Sequence, residues 1–167
     1  SQDYRLRANT TYQGQNFVYG LPELNREAIK SAQYIANPGC FATAIQLALL
    51  PLASANQLNN DIHINAITGS TGAGQGLSAS SHFSWRNNNI SVYKAFEHQH
   101  LNEMGESILS LQPNFDQEID FIPQRGDFSR GIFASVYLKS DLSEEEAVAL
   151  YQDFYKDHPF TFVSATN

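Results

Sequence analysis

The one cysteine of the sequence, Cys40, stands where a turn meets a helical pattern. Pro38 and Gly39 predict a tight turn directly before it, and residues 41–52 follow with apolar helical periodicity. Cys40 would then lie at a helix N-terminus, where unpaired N–H groups and the positive end of the helix dipole favour the thiolate over the thiol. Residue type alone indicates a small buried hydrophobic side chain instead. The turn followed by a helix favours a nucleophile.

Thiolate chemistry also needs a proton carrier and donors aimed at a developing oxyanion. His98 and His100 are the candidate proton carriers, because they follow a predicted strand and imidazole titrates in the useful range. Taken singly, either histidine fits a structural role equally well. The amide of Cys40 and its neighbours are the candidate oxyanion donors. The other histidines are interpreted as surface or capping residues: His63, His82 and His158.

A metal site at His98 and His100 is disfavoured, because no carboxylate or cysteine lies at ligand spacing. Without a metal, the residues indicate a thiol nucleophile working with a histidine. Acyltransferases, cysteine hydrolases and thioester-forming dehydrogenases all use that pair, and periodicity does not choose among them.

The densest glycine cluster, residues 69–76, directly follows a predicted strand. Its unobstructed amides, with the hydroxyls of Ser70 and Thr71, could wrap a phosphate or a carboxylate. The cluster does not fit a dinucleotide-binding fingerprint, because residues 77–89 show no helical stripe and no βαβ unit surrounds it. A plain flexible loop fits the composition as well.

Length, charge and cysteine content exclude several classes of protein. The 167 residues, 42% of them hydrophobic, suffice for one domain with a substantial core. The net charge of −7, without a cluster of Lys or Arg, argues against nucleic acid or an anionic membrane as a partner. A single cysteine excludes an internal disulfide and fits a reducing compartment, and no signal peptide or long apolar span is visible. The predicted location is the cytoplasm.

The elements that position these residues mix strands and helices without strict βαβ alternation. Strands are predicted at residues 34–36, 62–68, 90–95, 117–122, 131–139 and 160–164. Helices are predicted at residues 25–32, with Asn25 as the cap, at residues 41–52 and 102–111, and from the capping box at Ser143 to His158. Pro123 is predicted to end the strand before it. The predicted fold class is α+β: a mixed, largely antiparallel sheet with helices packed on one face.

Five motifs, in order along the chain, closely resemble the N-acetyl-γ-glutamyl-phosphate reductases of arginine biosynthesis. They are Tyr19-Gly20-Leu21-Pro22-Glu23-Leu24, the nine residues 36–44, residues 69–74, Tyr93-Lys94 with His98 and His100, and Ser129-Arg130-Gly131-Ile132. The motifs span almost the whole chain. The resemblance implies the catalytic-domain fold of glyceraldehyde-3-phosphate-dehydrogenase-like enzymes. One departure is Gln75, where the family often has Arg, so no charge role is assigned there.

The resemblance implies NADP-dependent reduction of an acyl phosphate. In that family the thiol attacks the acyl phosphate and releases phosphate, and hydride from NADPH reduces the resulting thioester to the semialdehyde. The implied catalytic residues are Cys40 as nucleophile and His100, in preference to His98, as acid and base. The implied substrate-binding residues are Asn37, Ser70, Thr71, Gly72, Arg130 and, more weakly, Arg5. The implied cofactor-binding residues are Gly39, Gly72 and Gly74, and no metal is implied.

The resemblance also implies a domain organisation. Family members begin with a dinucleotide-binding domain that holds most of the NADP, so residues 1–18 are interpreted as an irregular lead-in from such a domain. Residues 19–167 are interpreted as the substrate-binding, catalytic and dimerisation domain, without the C-terminal segment that returns to the cofactor domain. The piece alone would lack reductase activity. A homo-oligomer, dimer or tetramer, is expected, and Phe133 and Tyr137 on the second face of their strand fit a neighbouring subunit.

Three alternatives stay open on the sequence. A related reductase acting on an aminoadipyl phosphate or a differently acylated glutamyl phosphate keeps the chemistry and changes the substrate. An acyltransferase or hydrolase built on Cys40 and His100 needs no nucleotide. A non-catalytic assembly module leaves Cys40 no more reactive than a free thiol.

Overall fold

A computed structural model describes residues 11–164. The strands within this range are β1 (Thr11–Tyr12), β2 (Gln15–Asn16), β3 (Val18–Tyr19), β4 (Ile35–Ala36), β5 (Ile62–Thr68), β6 (Ser91–Val92), β7 (Ile119–Arg125) and β8 (Ile132–Tyr137). The helices are α1 (Pro22–Ser31), α2 (Cys40–Ser54), α3 (Phe83–Arg86), α4 (His100–Leu111) and α5 (Glu144–Tyr155). No helix in this part of the chain is long and apolar enough to cross a membrane.

A four-stranded sheet with the order β6-β7-β5-β8 lies at the centre. β5 pairs in parallel with β7, from Ile62 opposite Ile119 to Thr68 opposite Arg125. The outer pairings, β5 with β8 and β6 with β7, are antiparallel. The predicted α+β class with a mixed, largely antiparallel sheet is confirmed, and the parallel pair at its centre is the feature that the strand patterns did not indicate.

Alternation along the strands separates a buried inner face of the sheet from an outer face. Ile64 and Phe121 belong to the inner face and are at most 1% exposed. α2 and α4 pack their apolar sides into the same core cluster, so the helices cover one face as predicted. The outer face carries the alternate residues of the same strands: Val92, His63, Asp120, Phe133 and Tyr137.

α2 continues through Pro51 to Ser54, although a proline removes one N–H from the helix ladder. The carbonyl that Pro51 leaves without its partner is that of Leu47, four residues earlier. The hydroxyl of Tyr155 in α5 donates to this carbonyl at 2.6 Å. The next carbonyl, of Ala48, accepts from the hydroxyl of Tyr151. α5 therefore supplies the donors that allow α2 to pass the proline, and burial raises the pKa of both tyrosines.

α5 begins at the predicted capping box. The hydroxyl of Ser143 accepts from the amide of Glu146, and the Glu146 carboxylate accepts from the amide of Ser143 at 2.8 Å. Residues 160–164 after this helix form no strand, so that prediction is wrong. The segment has no neighbouring strand to pair with among the described residues, and Phe160 and Phe162 are 89% and 87% exposed.

Two further predicted boundaries are wrong. β7 does not end before Pro123 but runs through it to Arg125. The neighbouring strand β6 pairs only with Arg125 and Gln124, so the missing N–H of Pro123 interrupts no pair there. α1 starts at Pro22 rather than at Asn25, because the proline occupies the first helical turn. Asn25 is a kink inside α1, with φ −123° and ψ 26°, and not its cap.

The lead-in predicted as irregular contains short strands where it is described. β1 and β2 form an antiparallel hairpin, and β3 pairs in parallel with β4 just before the cysteine turn. The β3–β4 pair holds Tyr19 beside that turn. Arg5 lies outside the described residues.

Candidate active site

Cys40 is the first residue of α2 and its side chain is exposed, which confirms its predicted position at a helix N-terminus. Gly39 precedes it in an extended conformation, with φ −66° and ψ 148°, and no side chain caps the first turn. The first-turn amides therefore have no acceptor inside the helix. They lie next to the thiol in sequence and stay the candidate oxyanion donors.

The imidazole of His100 lies against Gly39. A Cβ on Gly39 would stand 2.3 Å from Nε2 of His100, so any larger residue here would displace the ring. The N–H of Gly39 donates to Oε2 of Glu103 at 2.8 Å. The absence of a side chain at Gly39 leaves room for the His100 imidazole, and the Gly39 amide donates to Glu103. The cofactor-binding role of Gly39 stays a prediction.

Glu103 links three parts of the site. Besides the Gly39 amide, Oε2 accepts the hydroxyl of Tyr19 at 3.0 Å, and Oε1 lies 3.8 Å from Nε2 of His100. Tyr19 in turn accepts from Nε2 of the buried Gln46 at 2.8 Å. Burial raises the pKa of Tyr19, so it stays a hydrogen-bond donor to the carboxylate. The carboxylate thus fixes both the turn before the thiol and the imidazole beside it.

The two histidines play different roles in the structure. His98 is 4% exposed, and its ring makes edge contacts with Phe41 and Phe121. Its Nδ1 accepts the backbone N–H of His100 at 3.2 Å, at the start of α4. Burial, reinforced by the neighbouring His100, lowers the pKa of His98 to about 4. His98 is therefore a neutral side chain that anchors the start of α4.

His100 has the features expected of an acid and base. Burial lowers its pKa, and the Glu103 carboxylate opposes that shift. Nε2 faces the carboxylate, and Nδ1 is buried without a hydrogen-bond partner among the described residues. An imidazole that lies beside a carboxylate and lines the same cavity as a thiol has the chemistry needed to exchange a proton there.

Cys40 and His100 line one cavity of about 270 Å³. Two cations, Lys94 and Arg125, line the same cavity. The guanidinium carbon of Arg125 lies 3.9 Å from the centroid of the Tyr93 ring. A second space of about 470 Å³ opens on another side of Cys40, beside Gly72 and Gly131. The thiol therefore stands between a basic cavity and a wall rich in glycine.

The glycine cluster does not wrap an anion with its amides. Residues 70–73 form a 3₁₀ turn, and the amides of Gly69, Ser70 and Thr71 donate to carbonyls of residues 128–131 at 2.9 to 3.1 Å. The hydroxyl of Thr71 also donates to Ser129, at 2.7 Å. These donors already have acceptors, because hydrogen bonds join the loop to the segment before β8. That part of the anion-binding prediction is wrong.

The other predicted binding residues divide into two groups. Thr71 and Gly72 line the spaces next to Cys40. Four predicted residues do not: Asn37, Ser70, Gly74 and Arg130. The described residues contain no group of three side chains suited to hold a metal ion.

Sequence reasoning missed Glu103, Gln46 and Arg125. Glu103 follows His100 at a spacing of three on α4, which places both on one side of the helix, and that signal was available. Gln46 is a polar residue inside an apolar helix, which also marks a buried hydrogen bond. Arg125 carried no such signal, because its position depends on how β7 meets Tyr93.

Residues 40–167 match the sequence family described as semialdehyde dehydrogenase, dimerisation domain. The chain belongs to this family. A solved structure with the same fold is aspartate semialdehyde dehydrogenase II from Vibrio cholerae, with a TM-score of 0.59 and 16% identity over 79% of this chain and 47% of that one. The structural likeness shows that the two chains share a fold.

Curated relatives carry a more specific name, N-acetyl-gamma-glutamyl-phosphate reductase. The relative from Flavobacterium johnsoniae is 65% identical over 99% of this chain and 51% of its own length. The relative from Bacteroides thetaiotaomicron is 54% identical over 100% of this chain and 51% of its own length. The chain spans about half the length of the curated relatives it matches.

Proposed function

We propose that the protein to which this chain belongs reduces N-acetyl-γ-glutamyl phosphate to the semialdehyde and phosphate, with NADPH, in cytoplasmic arginine biosynthesis. The observation that carries the proposal is an exposed thiol at a helix N-terminus, sharing a cavity with an imidazole that a carboxylate orients. The name of the curated relatives supports the choice among thiol chemistries.

Cys40 is the proposed nucleophile. Its sulfur attacks the acyl carbon of the acyl phosphate, the S–C bond forms, and the C–O bond to phosphate breaks with its electron pair leaving on phosphate. The first-turn amides of α2 are the proposed donors to the oxyanion that develops on the acyl oxygen. The amide of Gly39 takes no part, because Glu103 already accepts from it.

His100 is the proposed proton carrier. It takes the proton of the Cys40 thiol before attack and returns one when the product leaves. The Glu103 carboxylate lies 3.8 Å from Nε2 of His100, and the imidazole lines the same cavity as the Cys40 thiol. His98 is proposed to keep the start of α4 in place, since Nδ1 of His98 already binds the His100 amide.

NADP fits this chain only at its reactive end. A Cβ on Gly131 would meet nothing within 4 Å, and Gly131 and Gly72 form the open wall beside Cys40 that suits a flat ring. The chemistry supplied there by a bound NADPH is hydride transfer to the Cys40 thioester. The glycine-rich loop after β5 leads into a 3₁₀ turn, and not into an α-helix as in a dinucleotide-binding unit, so we propose that this chain alone does not catalyse reduction.

A homodimer or a higher oligomer is proposed through the outer face of the sheet. Phe133 and Tyr137 are 66% and 56% exposed there, and Val92 is 57% exposed. Large apolar side chains grouped on one exposed face mark an interaction surface. The family description as a dimerisation domain agrees with this surface.

The test separates the two halves of the reaction in the full-length protein. With substrate and no NADPH, one equivalent of phosphate per active site should be released, and the Cys40 peptide should gain the mass of the acyl group. With NADPH, turnover should follow. Cys40→Ser should abolish both signals, a loss of more than about 10³-fold.

Turnover that survives Cys40→Ser contradicts the proposal. Steady release of phosphate without NADPH, beyond one equivalent, would instead indicate a hydrolase. His98→Gln and His100→Gln compared in the same assay assign the proton carrier, and only the second should reduce the rate of acylation at neutral pH.

A further inference from the structure

The cavity beside Cys40 contains two positive charges, and no carboxylate of residues 11–164 is paired with either of them. Arg125 stacks on the face of Tyr93, with 3.9 Å from its guanidinium carbon to the ring centroid. Lys94 donates from Nζ to Oε1 of Gln99 at 3.1 Å. Across residues 11–164, no carboxylate oxygen forms an ion pair within 4.0 Å of either cation. Within the described part of the chain, the partners of both cations are therefore neutral.

The remaining charged groups around the cavity do not cancel this field. Glu103 is committed to the Gly39 amide and to the Tyr19 hydroxyl, and faces His100. The pKa of His98 is lowered mainly by burial and by the neighbouring His100. The positive charges of Lys94 and Arg125 lower it further. An anion placed in this cavity meets an attractive field that is strengthened by the low-dielectric walls.

The residues expected to bind anions are occupied elsewhere. The amides of Gly69, Ser70 and Thr71 donate to carbonyls of residues 128–131. Arg130 is exposed and does not line the cavity, and its backbone nitrogen lies where a Cβ on Gly69 would approach to 2.7 Å. Among the described residues, the lysine and arginine side chains that line the cavity beside Cys40 are those of Lys94 and Arg125.

We propose that Arg125, assisted by Lys94, binds an oxyanion group of the substrate next to the Cys40 thiol. Stacking on Tyr93 holds the guanidinium plane while its N–H edges stay free, which suits bidentate contact with a carboxylate or a phosphate. The inference rests on the proposed function, because an acyl phosphate with a carboxylate carries both groups. It adds a specificity residue that no motif pointed to.

The test uses two alkylating reagents that react with the same thiolate, in the full-length protein. Iodoacetate carries a carboxylate and iodoacetamide is neutral, and in both cases sulfur displaces iodide. Their rate ratio at Cys40, normalised to a free thiol, reports anion attraction independently of how reactive the thiol is. Arg125→Gln should lower this ratio about tenfold. Arg130→Gln, with the same change of charge, should leave it unchanged.

Two further variants keep the test informative if Arg125→Gln is poorly folded. Lys94→Gln should lower the ratio less than Arg125→Gln does, and Arg125→Lys should retain most of it. The proposal is overturned if the rate ratio is unchanged in both Arg125→Gln and Lys94→Gln, or if it drops in Arg130→Gln alone. The alkylation ratio needs no turnover. It therefore tests anion binding by Arg125 separately from the proposed reductase activity.

Protection experiments then identify the group that Arg125 binds. Inorganic phosphate and glutarate are each titrated against alkylation of Cys40 by iodoacetamide. Protection by phosphate that disappears in Arg125→Gln assigns the phosphoryl group, and the same result with glutarate assigns the carboxylate. Failure of both anions to protect the wild-type protein counts against the proposal.

Discussion

On the inner face of the sheet, Ile64 and Phe121 are at most 1% exposed, whereas Phe133 and Tyr137 on the outer face are 66% and 56% exposed. The same strands supply both faces through alternate residues. The inner face is closed by α2 and α4, which carry Cys40 and His100. The outer face has no such cover among the described residues.

The difference separates the two proposed roles of the domain. The ring of Phe121 contacts Phe41 of α2 and His98 before α4, so the inner face fixes the two helix starts that meet at the site. Phe133 and Tyr137 of the outer face do not line either of the two spaces beside Cys40. Packing therefore positions the chemistry on one side, and the other side can bind a second subunit without disturbing it.

Phe121→Ala should have the largest effect on stability. The ring is fully buried, with centroids 5.3 Å from Phe41 and 5.4 Å from His98, so the truncation leaves a cavity below the site. We expect a loss of about 3–5 kcal/mol in the free energy of unfolding, measured by urea titration. Phe133→Ala removes the same atoms from the outer face and should cost less than about 0.5 kcal/mol in dilute protein. Equal losses would contradict the assignment of the two faces.

Glu103→Gln tests the carboxylate behind the inner-face site. It keeps the shape of the side chain but removes the negative charge. That charge opposes the lowering of the His100 pKa by burial. We expect kcat to fall by about 10–100-fold. The acid limb of the pH–rate profile should move to lower pH, because the pKa of His100 falls when the carboxylate charge is lost. A purely structural role predicts a lower rate without that displacement.

Glu145→Gln is the matched control for this experiment, since Glu145 is an exposed residue in the first turn of α5. It should change neither kcat nor the pH profile. The same shift in both variants would point to a general effect of net charge.

The buried His98 should give the protein a pH-dependent stability. Its pKa is lowered by burial to about 4, whereas the unfolded residue titrates near 6.5, so the unfolded chain alone binds this proton between those values. Stability should therefore be greatest above about pH 6.5 and fall towards pH 4, with a slope of at most about 1.4 kcal/mol per pH unit. Urea unfolding at several pH values should show a shallower slope for His98→Gln. An identical slope in the variant would assign the effect to other groups.

Phe133→Asp should have the smallest effect on the fold and a specific effect on assembly. A carboxylate at the centre of the proposed contact surface should weaken self-association by at least about tenfold, because it would be buried without a partner. Sedimentation velocity measures the association. Phe160→Asp is the control, because Phe160 is 89% exposed beyond the end of α5 and outside the sheet. Loss of association in the control alone would place the interface elsewhere.

Local patterns predicted most of the elements. The strand at 62–68 was placed at its observed bounds, and the capping box at Ser143 opens α5 as expected. Boundaries failed where a distant group decides the outcome. The helix predicted at 41–52 does pass Pro51 and runs on to Ser54, where the hydroxyl of Tyr155, more than a hundred residues later, donates to the free carbonyl of Leu47. β7 passes through Pro123 because β6 is too short to need its N–H.

The site was also predictable only in part, because some of its contacts join residues that are distant in sequence. Residue types and spacing identified Cys40 and the two histidines, but could not rank the histidines, because burial distinguishes them. The role of Glu103 depends on its contact with Gly39, 64 residues away in the sequence. The choice of Arg125 over Arg130 depends on which arginine lies against Tyr93.

The sequence by itself determined that a single thiol begins a helix, because a proline–glycine turn followed by an apolar run leaves little local choice. It also determined that two histidines follow a strand and that apolar residues alternate along the sheet. Only the tertiary structure decided which imidazole a carboxylate orients and which cations stand free beside the thiol. Those relations join elements far apart in sequence, and burial and charge act through distances that no local pattern contains.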